Sequence, residues 1–160
     1  AEEITLCAWI KVRKFDKAWQ TIIAKGVGAH IWWALQRGAM LDNLQLQLSS
    51  HRVPGIEVSG DLLPDAKVND GRWHHVTAIY DGQRVRMYVD GELDASASLL
   101  AFSLISAPAG PVLIGKRAGL AREWNGLIDD VRIYSYALAP QDIKALHEGR
   151  EPMQRKASIQ

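Results

Sequence analysis

The residues of this chain best suited to chemistry begin with two adjacent acids, Asp129 and Asp130, in the run LIDDVRIY at 127–134. Successive side chains of a strand point to opposite faces, so Asp129 shares a face with Leu127, Val131 and Ile133. If those three face the core, Asp129 points inward at a strand end and needs a compensating partner. Calcium, held by carboxylate and backbone oxygens, supplies one; backbone N–H donors supply another. Asp129 is thus the candidate metal ligand, with calcium as a structural cofactor. A second group is Arg84, Arg86 and Tyr88, which alternate with Val85, Met87 and Val89. That spacing puts two guanidinium forks and a phenol on one face, able to grip carboxylate or sulfate oxygens of an anionic glycan. The same pattern also describes a solvated face laced with cross-strand ion pairs. Third, Trp32 and Trp33 must face opposite ways. Trp33 goes with Ile31 and Leu35, a core-like set, whereas Trp32 goes with Ala34 and Gln36. Trp32 is therefore the aromatic expected on an open sheet face, where a sugar ring could stack on it.

Other constellations lead away from catalysis. His74 and His75 are strand neighbours, so their imidazoles cannot converge on one ion, and they read as packing. Retaining glycosidases need two carboxylates about 5 Å apart, which a strand provides at alternate positions. No Glu-x-Asp-x-Glu run occurs, and Glu57-Val58-Ser59-Gly60-Asp61 is interrupted by glycine. A Gly-x-Ser-x-Gly elbow, a P-loop and a Gly-x-Gly-x-x-Gly fingerprint are all missing from the sequence. The chain is expected not to be an enzyme.

The elements that must position these residues are almost all strands. Runs rich in β-formers occupy 4–12, 20–24, 31–36, 44–49, 73–80, 84–90, 92–99, 111–115 and 127–134. Leu44, Leu46 and Leu48 alternate with Gln45 and Gln47, which predicts one buried and one wet face. Pro54 and Gly55 would confine 53–60 to a sheet edge, and 61–71 reads as loop. The centre of the pattern is DGRWHHVTAIYDGQRVRMYVD at 70–90. Asp81-Gly82 suits a type I′ hairpin turn, and Asp90-Gly91 starts a further reversal. Successive hairpins make an antiparallel meander. Near the end, Pro140 at a first-turn position, Ile143 and Leu146 on one face, and Gly149 as a stop predict one short helix. Residues 150–160 read as a polar tail or linker, so the domain spans 1–149.

Composition narrows the partners. The 160 residues suffice for one domain, and 19 basic against 18 acidic residues leave no global field that selects nucleic acid or an anionic membrane. No apolar run is long enough to span a bilayer. The single Cys7 excludes an internal disulfide and a four-cysteine zinc site, and its apolar run predicts a buried, inert thiol. The opening AEEITLCAWIKV lacks the basic and apolar regions of a signal peptide and reads as a mature or excised domain.

Several segments together carry a resemblance. They are Leu6-Cys7-Ala8-Trp9-Ile10-Lys11, Trp19 to Gly26, Asp70-Gly71-Arg72-Trp73-His74-His75-Val76, Tyr88-Val89-Asp90-Gly91, Leu113-Ile114-Gly115, Trp124 to Tyr134, and Ala137-Leu138. In order and spacing the chain resembles the bacterial laminin-G-like domains of the concanavalin A-like lectin/glucanase superfamily, over roughly 4–149. The resemblance implies an all-β, two-sheet antiparallel jelly-roll sandwich with one short C-terminal helix. It also implies a module of a larger extracellular, periplasmic or cell-envelope protein that binds glycans or proteins, often with calcium at the rim. Trp9, Trp19, Trp73 and Trp124 fall where such domains keep bulky core residues. Domains of this type commonly carry a further strand before the Ala-Trp segment, so a sheet edge is expected to need cover from the 156–160 tail or a partner. The expected function is a non-catalytic carbohydrate-binding module. A protein-interaction module docking a strand at that edge is the alternative, and a polysaccharide-acting enzyme is third.

Overall fold

The computed structural model describes residues 3–27, 30–39, 41–48, 64–99 and 110–153. Among the described residues nine strands and one helix follow in chain order: β1 Ile4–Lys11, β2 Thr21–Val27, β3 His30–Arg37, β4 Leu44–Leu48, β5 Trp73–Tyr80, β6 Arg84–Val89, β7 Glu92–Ser98, β8 Val112–Ile114, β9 Leu127–Tyr134 and α1 Pro140–His147. They form a five-stranded sheet ordered β7-β6-β5-β1-β9 and a four-stranded sheet ordered β4-β3-β2-β8, with every strand pairing antiparallel. This is the expected all-β sandwich with its single short helix. The strand reading at 53–60 and the 156–160 tail lie outside the described residues.

Among the described residues two large cores hold the layers. Between the sheets, Leu6, Ala8 and Ile10 of β1 and Val76 and Ala78 of β5 pack with Ile22, Trp33, Leu35, Leu46 and Leu48 from the opposite sheet. A fully buried aliphatic side chain of this kind contributes about 1.5–3 kcal/mol. The second core lies on the outer face of the five-stranded sheet, where α1 sets Ile143 and Leu146 on Cys7, Ile79 and Tyr88, with Leu138 beside them. Pro140 starts α1 as expected, and the Gly149 N–H donates to the Leu146 carbonyl just past its end. Burial pushes the Cys7 thiol up to about 12, which keeps it protonated and inert.

Three features depart from the reading of the sequence. The β5–β6 turn is not type I′ over Asp81-Gly82: Asp81 pairs with Arg84, and Gly82 (φ 91°) is the first of two turn residues, Gly82-Gln83. Asp81 instead accepts the N–H groups of Gln83 and Arg84 at 3.0 and 2.8 Å. The type I′ pattern, positive φ at both central residues, appears at Asp90-Gly91 (φ 52° and 84°). On β9, a bulge at Asp130 (φ 44°) breaks the pairing with β1 between Cys7 and Trp9. As a result both Ile128 and Val131, three residues apart, pack toward the main core. Finally, β1 is not an edge: it lies between β5 and β9, and the outermost described strands are β7 and β9 in one sheet and β4 and β8 in the other.

Candidate functional site

The bulge decides the position of Asp129. Its parity with Leu127 holds, but that face is outward at this end of β9, and both residues are exposed. The inward placement read from the sequence is therefore corrected. The Asp129 carboxylate accepts the Asp130 N–H at 2.8 Å, and the Asp130 carboxylate is taken by Arg132, which also donates to Glu151. Those two acceptors hold the Arg132 guanidinium firmly charged, raising its pKa further. Calcium prefers 6–8 oxygens. Among the described residues no three His, Cys, Asp or Glu side chains converge as a group that could hold a metal ion.

Arg84, Arg86 and Tyr88 do share a face, as alternation requires, yet they do not form a grip. Tyr88 is only 4% exposed because it lies in the core beneath α1. Arg86 is spent on the Asp81 carboxylate, and Arg84 remains exposed at the strand start. Trp32 is half-buried rather than open. It is the extra residue of a β2–β3 irregularity, where Lys25 pairs with Trp33 and Gly26 with Ile31. The Lys25 ammonium sits 4.9 Å from its ring centroid and its indole packs toward the main core. The polar face of β3 and β4 is not wet either. Gln36 and Gln47 are buried, Gln36 donates to Gln47 at 2.9 Å, and Arg117 donates to the same oxygen at 3.3 Å.

The two histidines hold structure. His74 is clamped between carboxylates, Nδ1 2.8 Å from Asp90 and Nε2 3.1 Å from Asp70. Hydrogen bonds from the Arg72 backbone and guanidinium, more than His74 itself, hold the Asp70 carboxyl well below the usual carboxylate range. His75 lies on the opposite face among aromatics, its ring 5.3 Å from Trp9 and 6.1 Å from His147. Burial, reinforced by His147, pushes its pKa from 6.5 down to about 4. The unfolded chain then binds the extra proton between those values, so stability is full above about pH 6.5 and declines toward pH 4. Urea denaturation is expected to give about 2 kcal/mol less stability at pH 5 than at pH 8, and H75Q to remove most of that slope. An unchanged slope in H75Q would refute the assignment.

The structure assembles a different site at the end of β1. An open cleft of about 340 Å³ is lined by Lys11, Arg13, Lys14, Gly71, Asn125, Gly126 and Leu127. Its walls are tied together. The Gly71 N–H donates to the Val12 carbonyl at 2.9 Å, and Asn125 donates to Asp16 at 3.1 Å. Phe15 meets Trp124 edge-on at 5.8 Å, and Lys17 pairs with Glu123 at 2.8 Å. Across the sheet, Lys11 stands between Trp73 on β5 and Leu127 on β9. Directly paired residues share a face, so the three form one row at the sheet end. Trp73 is 40% exposed and Leu127 56%. Trp73, expected in the core, is thus a tryptophan on an open face. The sequence signal for the cleft was the basic run Lys11-Val12-Arg13-Lys14, which patterning alone marks only as a strand end.

A laminin G family model, described as the concanavalin A-like lectin/glucanases superfamily, matches residues 1–144. The chain belongs to that superfamily. Among curated relatives, a rat protein named "Sushi, von Willebrand factor type A, EGF and pentraxin domain-containing protein 1" is 33% identical over 88 residues, and its mouse counterpart 32%. The match covers 49% of this chain but 2% of either relative. Both are rodent proteins, and of the resemblance read from the motifs the superfamily is what these matches support. Solved structures share the fold. Domain 4 of AbnA, a GH43 extracellular arabinanase from Geobacillus stearothermophilus solved with arabinotriose, aligns with TM-score 0.69 at 19% identity, covering 91% of this chain and 66% of that one. A putative carbohydrate binding protein from Bacteroides ovatus gives 0.68 at 22%, covering 89% and 40%. A heptameric SAP-like pentraxin from Limulus polyphemus gives 0.68 at 17%, covering 99% and 75%.

Proposed function

We infer that this chain is a non-catalytic carbohydrate-binding module of a larger extracytoplasmic protein, and that its ligand seats in the β1-end cleft beside Trp73. The observation that carries the reading is the row Trp73–Lys11–Leu127, in which Lys11 and Leu127 line the cleft and the exposed Trp73 pairs with Lys11 beside it. A flat indole receives the C–H face of a sugar ring, Leu127 offers an apolar wall, and Lys11, Arg13 and Asn125 supply donors for ring hydroxyls. Among the described residues the lining contains no carboxylate, whereas glycoside hydrolysis needs a pair, which favours binding over catalysis. Names of similar folds, a domain of an extracellular arabinanase and a putative carbohydrate binding protein, support the same ligand class and location.

Affinity gels containing a panel of neutral and acidic polysaccharides test this. Retardation by at least one glycan is expected, and Trp73→Ala should weaken it roughly fivefold, the worth of about 1 kcal/mol of stacking, without lowering the melting temperature. Failure of every polysaccharide to retard the chain would sink the reading. A protein-contact reading is favoured by one observation: the outermost described strands β8 and β9 expose Val112, Ile114 and Ile133. Under it, I114K with I133K abolishes affinity for a purified partner and leaves glycan retardation intact.

A further inference from the structure

We propose that the saccharide selected by this cleft is an acidic one, held through carboxylate or sulfate oxygens by Arg13, Lys14 and Lys11. The proposal rests on the carbohydrate-binding reading and specifies its ligand class. Three cations line one cleft in a chain whose net charge is only +1. Elsewhere the basic side chains of this region are paired: Lys17 with Glu123, and Arg72 with Asp70. Among the described residues Lys11, Arg13 and Lys14 have no carboxylate partner. Three neighbouring acids are committed as well, while Asp129, exposed on the Leu127 face, accepts only the Asp130 N–H. Asp70 accepts from Arg72 and faces His74, Asp16 accepts from Asn125, and Glu123 faces Lys17.

Bringing three like charges to one cleft costs repulsion, which an anion entering the cleft relieves. Arg13 fits a planar, two-oxygen acceptor. Its side chain runs along Gly71, where an added Cβ would lie in ordinary van der Waals contact at 3.6 Å from its Nε, so the guanidinium is held beside the cleft wall. A guanidinium fork matches carboxylate or sulfate geometry, and the two ammonium groups add charge with less directional demand. The exposed Trp73 and Leu127 distinguish this surface from a plain basic patch: an anion alone has no use for an apolar platform, whereas an acidic sugar presents both a charged group and C–H faces.

Titration calorimetry on the whole chain at 50 mM and 500 mM NaCl decides the matter, with four probes: oligogalacturonate, dextran sulfate oligomer, neutral dextran oligomer and a short oligothymidylate. At least one acidic saccharide is expected to bind about tenfold or more tighter than dextran, and to weaken at high salt as screening sets in. R13Q with K14Q should cost that ligand about tenfold with an unchanged melting temperature. Binding by oligogalacturonate assigns the anion as carboxylate, and binding by dextran sulfate assigns it as sulfate. If some neutral glycan binds the chain, the acidic ones do no better, and R13Q/K14Q keeps wild-type affinity, the anion assignment falls while the carbohydrate reading stands. If no saccharide binds, in these titrations or in the gels, both fall. Oligothymidylate bound as tightly as the acidic saccharides, with Trp73→Ala without effect, would overturn the sugar assignment in favour of a generic polyanion site.

Discussion

Gly126→Ala is expected to destabilise the fold by about 3 kcal/mol and to abolish ligand retention with it. A Cβ at this position would lie well under 3.0 Å from the Lys11 carbonyl oxygen, and 3.0 Å from the Trp124 indole nitrogen. The first neighbour is backbone, so no rotamer change can relieve the contact. Either the 124–126 segment moves off the end of β1, or β1 itself shifts. Lys11 anchors the row with Trp73 and Leu127, and Asn125 lines the same cleft, so either displacement reshapes it. Chemical denaturation measures the stability loss, and the affinity gel measures retention below the transition. A variant as stable as the parent would mean that the chain does not approach itself this closely at the cleft.

The second large effect is expected from Ile143→Ala, at about 3 kcal/mol, or roughly 6–12 °C in melting temperature. Ile143 is fully buried in the core that α1 forms with the outer sheet face, against Cys7, Ile79, Tyr88, Leu138 and Leu146. Truncation removes the transfer free energy of the side chain and leaves a cavity that an eight-residue helix on a rigid sheet can only partly close. Because the same contacts cover Cys7, thiol labelling of the variant should also accelerate. A melting temperature within 2 °C of the parent would show that the helix contributes little to holding this face shut.

Much of the architecture was legible. The alternation Leu44, Leu46, Leu48 did mark a core face, the single helix runs from Pro140 as its capping signals indicate, and the meander through β5, β6 and β7 follows its turn residues. The type I′ turn was legible in kind but not in place. Asp-Gly occurs twice, and which pair occupies the two central positions depends on the register of the flanking strands. At Asp81 the carboxylate caps the turn; at Asp90 the residue itself takes the positive φ.

The candidate site was legible least. Period-two reasoning assigns each residue to a face, but a bulge changes the face midway along a strand, as at Asp130 and beside Trp32. It also cannot say what covers a face. Arg84, Arg86 and Tyr88 do share one, and α1 closes over Tyr88 from a segment more than fifty residues later. Local pattern by itself therefore determined the strands, most of their inward sides and the superfamily. The tertiary structure alone decided which tryptophan stands open and which cations meet. Lys11, Gly71, Trp73 and Asn125 come together through β1 pairing with β5 on one side and β9 on the other, contacts of long sequence separation that no run of neighbouring residues encodes.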